Sequence, residues 1–99
     1  MVGESKRSIF VDLKLSNVFD IVVAVAESIG KDVESNKTLK SLKFKTKYGL
    51  QRVPVRIDLR PNDSGTDINI TASSDDIWGG GARKCIDKFV DELEKHLNN

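Results

Sequence analysis

The chain has little of several things, and each scarcity removes a class of protein. A single cysteine among 99 residues, Cys85, excludes an internal disulfide and any zinc site built from several cysteines. The one histidine, His96, follows it by eleven positions. On a shared helix that is about three turns, ~16 Å, too far for a Cys–His nucleophilic pair. The longest apolar run, Ile21–Ala26, is far short of the ~20 residues a membrane-spanning helix needs. Glu4, Lys6 and Arg7 near the N-terminus have no apolar stretch with a cleavage site behind them. No secretory leader is expected, and the default setting is reducing and cytoplasmic. Net charge is only +1, so any attraction for a polyanion has to be local.

What is present describes an ordinary folded domain: 38% hydrophobic and 31% charged residues. A chain of this length buries roughly two-thirds of its unfolded surface, enough for one core. Met1 to Arg7 is polar and unpatterned and reads as a flexible tail. Residues 8–99 are expected to form a single domain.

The clearest pattern lies in Asp75 to Leu97, DDIWGGGARKCIDKFVDELEKHL. Ala82, Cys85, Ile86, Phe89, Val90, Leu93 and Leu97 recur at three- and four-residue spacing, the stripe of an amphipathic helix. Its remaining faces are charged, and the stripe needs a surface to cover. Alternating segments supply one. Ile9, Val11, Leu13 and Leu15 alternate with Phe10, Asp12 and Lys14 over Ser8–Leu15. Leu42, Phe44, Thr46 and Tyr48 alternate with three lysines over Leu39–Tyr48. Val53, Val55, Ile57 and Leu59 alternate with arginines, and Ile68, Ile70 and Ala72 follow over Thr66–Ala72. A short strand is also readable at Asp32–Ser35. Pro54 cannot donate to a ladder, so its strand is at an edge there, bulged, or starts near Val55. Pro61 to Gly65 has turn chemistry throughout. Val18–Ile29 reads as a helix capped by Ser16 or Asn17 and stopped by a left-handed Gly30. A strand over Ile21–Val25 is the other reading, because β-branched residues are poor helix formers. The expected fold is α+β: a two-layer sandwich of an antiparallel sheet of four or five strands, with two helices on one face.

This β-α-β4-α layout resembles the TBP-like fold, or half of a helix-grip domain. The segment ITASSDDIWGGGARKCIDKFVDEL is similar to the C-terminal part of small bacterial proteins. In those, a last strand runs into Trp-Gly (here Trp78-Gly79) and then into a closing helix. The resemblance implies a fold and carries no activity. TATA-binding proteins wedge DNA with paired phenylalanines, and no such pairs stand here.

Trp78 reads first as a plug between sheet and helix, the usual place of a large aromatic. Its second reading is the lining of a cleft with Gly79 and Gly80. The glycines invite a phosphate at the helix N-terminus, but no Walker spacing is present and Asp75 and Asp76 more naturally cap the helix. Cys85 falls on the apolar stripe, where a thiol is inert. Asp91, Glu92 and Glu94 alternate with Lys88 and Lys95 as a solvated face. The outward strand positions hold the patch of most interest. Lys14, Lys43, Lys45, Lys47, Arg52, Arg56 and Arg60 face only Asp12, Asp58 and Asp67 as counter-charges. A basic open sheet can follow a phosphate backbone; lysine-rich strands also resist pairing with other chains, the commoner reason for the pattern. No catalytic constellation, cofactor or metal site is expected. The chain reads as a non-catalytic binding module that uses its basic sheet face for an anionic partner, another protein or an acidic polymer. The alternative is a small-ligand carrier with a pocket between the C-terminal helix and the sheet. Self-association through an exposed strand is a further expectation if Pro54 does not protect an edge.

Overall fold

The computed structural model describes residues 3–76, 78 and 80–98. The order is β1 (Gly3–Val11), α1 (Leu15–Ile29), β2 (Lys31–Asn36), β3 (Ser41–Tyr48), β4 (Gln51–Asn62), β5 (Gly65–Ser74) and α2 (Gly80–Leu97). The strands form one five-stranded sheet in the order β1-β5-β4-β3-β2, with every neighbouring pair antiparallel. Both helices pack on the same face, and the fold is the α+β sandwich that the alternation predicts. Among the described residues no helix is long and apolar enough to cross a membrane.

The core is the layer between helices and sheet. α1 contributes Val18, Phe19, Val22, Val25 and Ala26; α2 contributes Ala82, Cys85, Ile86, Phe89 and Leu93. They meet Leu42, Phe44, Val53, Val55, Ile57, Leu59, Ile68, Ile70 and Ala72, all buried. Val90 and Leu97 complete the α2 stripe at its half-buried margin. Burial overrides the weak helix propensity of α1, as expected for a β-branched stretch that is covered on one side.

Several local expectations are corrected. Gly3–Arg7 is part of β1, not a tail, because its residues pair in register with Arg7↔Ile70 through Gly3↔Ser74. Arg7 points to the helix side and pairs with Asp87 of α2. β1 ends at Val11, so Leu13 and Lys14 lie off the strand, and Thr66 Oγ1 donates 2.9 Å to the Leu13 carbonyl at the bend. α1 consequently begins at Leu15, three residues before Val18. Neither Ser16 nor Asn17 caps it; Lys14 holds that position, its carbonyl accepting from Asn17 and Val18 at 3.0 Å each. Gly30 is extended rather than left-handed. It is glycine because a Cβ there would fall 2.6 Å from Phe44 Cδ2 and 2.7 Å from the Lys45 carbonyl oxygen.

The turns are tighter than their chemistry suggested. β4 runs through Pro61, which pairs with Thr66, and turns on Asp63-Ser64 with Asp63 at φ 56°. Gly49, at φ 62°, turns β3 into β4. The β4–β5 ladder stops at Val55↔Ala72, one residue short of Pro54, so the proline sits where its strand has an edge on that side.

Phe89 is the centre of the closing helix. It is fully buried, with its ring centroid 6.0 Å from that of Phe44. Phe89→Ala is expected to cost ~3–5 kcal/mol, a large share of the ~5–15 kcal/mol available to a domain. Lys88→Ala, on the exposed side, is expected to cost under ~0.5 kcal/mol. Urea midpoints of the two variants check this, and equal midpoints would mean that α2 docks by another face.

Candidate functional site

The face of the sheet away from the helices carries the outward half of each strand. Lys43, Lys45 and Lys47 of β3 stand opposite Arg56, Pro54 and Arg52 of β4. Lys31 and Glu34 of β2 stand opposite Lys45 and Lys43. Charges on this face sort by position. Lys43 Nζ lies 3.3 Å from Glu34, and Arg56 Nε lies 3.1 Å from Asp58. The hydrogen bond and charge of Asp58 hold Arg56 above its ordinary value. Arg60 is opposite Asp67, whose carboxylate accepts from Asn62 Nδ2 at 3.2 Å. Lys14 is at the entrance of α1, off the face altogether. Of the seven cations expected here, Lys45, Lys47 and Arg52 come together at one cleft and make no salt bridge among the described residues, although Lys45 also borders a second cleft that holds Asp32 and Glu34.

Those three line a cleft of about 300 Å³ where the end of α1, the hairpin end of β3 and β4, and α2 meet. Lys31 and Lys88 line it too, and the remaining residues, Ser28, Ile29, Gly30 and Thr46, carry no charge. Among the described residues none of the five cations makes a salt bridge. The local fold explains the grouping. Gly30 lets α1 end against β3, and Thr46 Oγ1 donates 3.1 Å to the Ile29 carbonyl, fastening the two. The chain then enters β2 at Lys31, directly opposite Lys45. Lys47 and Arg52 form the rung next to the last one, Tyr48↔Gln51, before the hairpin turn. Lys88 reaches the rim from the solvent side of α2, next to the buried Phe89. Five like charges around a concavity raise the local potential and favour an anion there. The larger cleft beside it, about 620 Å³ at the irregular start of β2, is mixed: Asp32 and Glu34 join Lys43 and Lys45.

The start of α2 is a different environment. Asp76 accepts from the Gly80 N–H at 2.6 Å and the Gly81 N–H at 3.2 Å, as the cap its sequence position suggested. The chain's own carboxylate therefore occupies the place a phosphate would take. Asp76 is held below the usual carboxylate range by the Ser74 hydroxyl and, more weakly, by these backbone N–H groups, with desolvation opposing. The Ser74 hydroxyl is buried and has no partner of full hydrogen-bond geometry; Asp76 is the acceptor toward which its proton can turn. Trp78 does not plug the core. It is 83% exposed, because α2 is closed against the sheet by Gly81 and Ala82 instead. Gly79 lies outside the described residues, and Gly80 is the first residue of α2.

The remaining reactive groups are dispersed. Burial pushes the Cys85 thiol up, with Lys88 pulling against it. His96 is at the far end of the helix with Nδ1 2.9 Å from the Glu92 carbonyl oxygen. Among the described residues no three His, Cys, Asp or Glu side chains are placed to hold a metal ion. Sequence reasoning missed Lys31 and Lys88, because their place depends on where α1 ends and how α2 crosses the sheet. Tyr48, read with the inward residues, does face α2, where a Cβ on Gly81 would fall 2.8 Å from its Cδ2, although the hairpin end leaves it 36% exposed.

No family model and no curated relative matches the chain. Solved structures do. Ara h 8.0201 aligns over 100% of this chain and 100% of its own, with a TM-score of 0.64 at 12% identity. A conserved protein from Geobacillus kaustophilus aligns over 99% of this chain and 95% of its own, with a TM-score of 0.55 at 16% identity. Both likenesses are to the fold, which is helix-grip-like.

Asp76 supplies a pH test. Its folded value is depressed, so its contribution is complete above the ordinary carboxylate value of about 4 and is lost as pH falls through the lower folded value. Asp76→Asn is expected to lower the urea midpoint at neutral pH and to converge with the parent protein in acid. A gap that persists unchanged into acid would show that the carboxylate's charge is not what caps α2.

Proposed function

We propose that this protein is a non-catalytic binding module for an anionic, phosphate-bearing partner, which it holds at the basic cleft between α1, the β3–β4 hairpin and α2. One observation carries the reading: Lys31, Lys45, Lys47, Arg52 and Lys88 share a concave site with no carboxylate, while Lys43 and Arg56 on the same sheet are already paired. Cations assembled only to discourage strand pairing would have no reason to converge from a helix, two sheet strands and a helix–strand junction. Lys88 and Lys31 are the telling members, since neither belongs to the alternating lysine run. Phe10, the aromatic on the outward face, is opposite Asp67 at the far end of the sheet and plays no part.

The carrier alternative, with an apolar ligand between α2 and the sheet, ranks second. That layer holds Phe44, Phe89, Ile57 and Ile70, each at most 2% exposed. Cargo there requires α2 to lift from the sheet.

A labelled single-stranded oligonucleotide serves as the polyanion probe. Its affinity is expected to fall steeply with salt as counterions are released. Lys47→Glu combined with Arg52→Glu is expected to weaken binding at low salt by about tenfold or more. Arg60→Glu, at the other end of the sheet, should change it little. Absence of binding at low salt would remove the proposal, and equal losses from both ends would replace the cleft with diffuse charge.

A further inference from the structure

Beside the cleft the chain exposes apolar side chains that packing does not require. Leu50, in the β3–β4 turn, is fully exposed at 108%, and Trp78, in the connection before α2, at 83%. The two loops lie against each other. The Asp75 N–H donates 2.9 Å to Gln51 Oε1, and a Cβ on Gly81 would fall 2.8 Å from Tyr48 Cδ2. Leu50 therefore adjoins a residue bonded to one side of the Trp78 connection, and Tyr48 touches the other side. One end of the molecule carries Tyr48, Leu50 and Trp78 together, and the Lys47–Arg52 rung is one residue back from Tyr48 and Gln51.

The charges around this end are mostly positive. Lys47 and Arg52 lead into the cleft, and Arg83 and Lys84 are exposed on the first turns of α2. Asp75 opposes them, and Asp76 is engaged with the N–H groups of Gly80 and Gly81. We infer that this end docks on the surface of an anionic lipid bilayer, with Leu50 and Trp78 entering the headgroup boundary and the cleft cations meeting the lipid phosphates. The inference rests on the anion-binding reading of the cleft and names its partner. Each half of the surface suits a lipid for its own reason. Tryptophan partitions to the membrane interface with its ring among the headgroups and its N–H hydrated. A protruding leucine gains by leaving water, and cations beside it are drawn to anionic lipid within a Debye length. A single-stranded nucleic acid would use the cations and stack on Trp78, but a fully exposed aliphatic side chain at the tip gives it nothing. Neither attraction alone is large, and their combination is what holds a peripheral protein.

Trp78 is the only tryptophan, so its emission reports directly on the tip. The experiment titrates the protein with phosphatidylcholine vesicles, with and without phosphatidylserine, and follows both emission and co-sedimentation. A blue shift and sedimentation with the phosphatidylserine vesicles, weak or absent with phosphatidylcholine alone, is the expected result. Leu50→Ser is expected to weaken vesicle binding by about tenfold while leaving oligonucleotide binding intact. Lys47→Glu with Arg52→Glu should weaken both. Leu50 and Trp78 are exposed, so thermal melts of the variants should match the parent and exclude misfolding as the cause. Equal binding to both vesicles, or no effect of Leu50→Ser, would overturn the inference. So would a blue shift on concentrating the protein alone, since a second copy would then cover the tip. Oligonucleotide binding without vesicle binding would overturn it while leaving the cleft as an anion site. Absence of both kinds of binding in the unmodified protein would remove the cleft reading as well.

Discussion

The apolar stripe of α2 has to be covered, and the inner face of the sheet is the broad surface that covers it. Phe89 decides where the helix comes to rest. Its ring settles against Phe44 over the middle of the sheet, with Cys85 and Ile86 one turn before and Leu93 one turn after. Everything on the other flanks of α2 is then placed without further choice. Asp87 is brought to Arg7 on β1, and Lys88 is turned to the rim of the cleft. A packing requirement in the interior thus positions a charge on the surface. α1 is held in the same way, by burial of a β-branched face that would not form a helix alone.

Charge on this protein is arranged by geometry rather than by amount. The totals nearly cancel, yet the sheet separates paired cations from unpaired ones over a few residues of strand. Two glycines and a threonine set much of that separation. Gly30 allows α1 to end against β3, Thr46 ties the end down, and Gly49 closes the hairpin so that Lys47 and Arg52 become neighbours. The cleft is the corner where these three constraints meet. Its neighbour at the start of β2 has more room but has acidic residues within it, and so lacks the same preference for an anion.

The fold was legible in the sequence wherever one face of an element is buried. The α2 stripe, the alternation in β3, β4 and β5 and the two-layer architecture all follow from period alone. β1 was legible only in its second half, since Glu4, Ser5, Lys6 and Arg7 show no alternation and are held by pairing with β5. A ladder partner some seventy residues away leaves no local mark. The start of α1 was misplaced for a related reason: Leu13 and Leu15 continue the strand's rhythm although the backbone has already bent. The basic face was legible as a list of outward residues and not as a site. Pairing with Glu34 and Asp58 withdraws some members, and Lys31 and Lys88 enter from elements whose relative placement no periodicity encodes. Trp78 shows the limit of residue-type reasoning. A large aromatic beside a helix start usually goes inward, but here small residues, Gly81 and Ala82, make the closest approach and leave no space for it.

The strand order has a consequence for how the chain comes together. β2, β3, β4 and β5 follow one another in sequence and join through short turns, so each pairing can form as soon as its two strands exist. β1 is different, because its partner is β5, the last strand of the chain. The first strand made is the last to be paired, and it waits while some sixty residues are added. Until then one edge of β5 is open and the Arg7 end of the core is uncovered. Closing that long loop is the slow, non-local step of the topology, as pairings of high sequence separation are. The polar character of β1, awkward for a strand in the finished sheet, suits a segment that must remain solvated until its partner arrives.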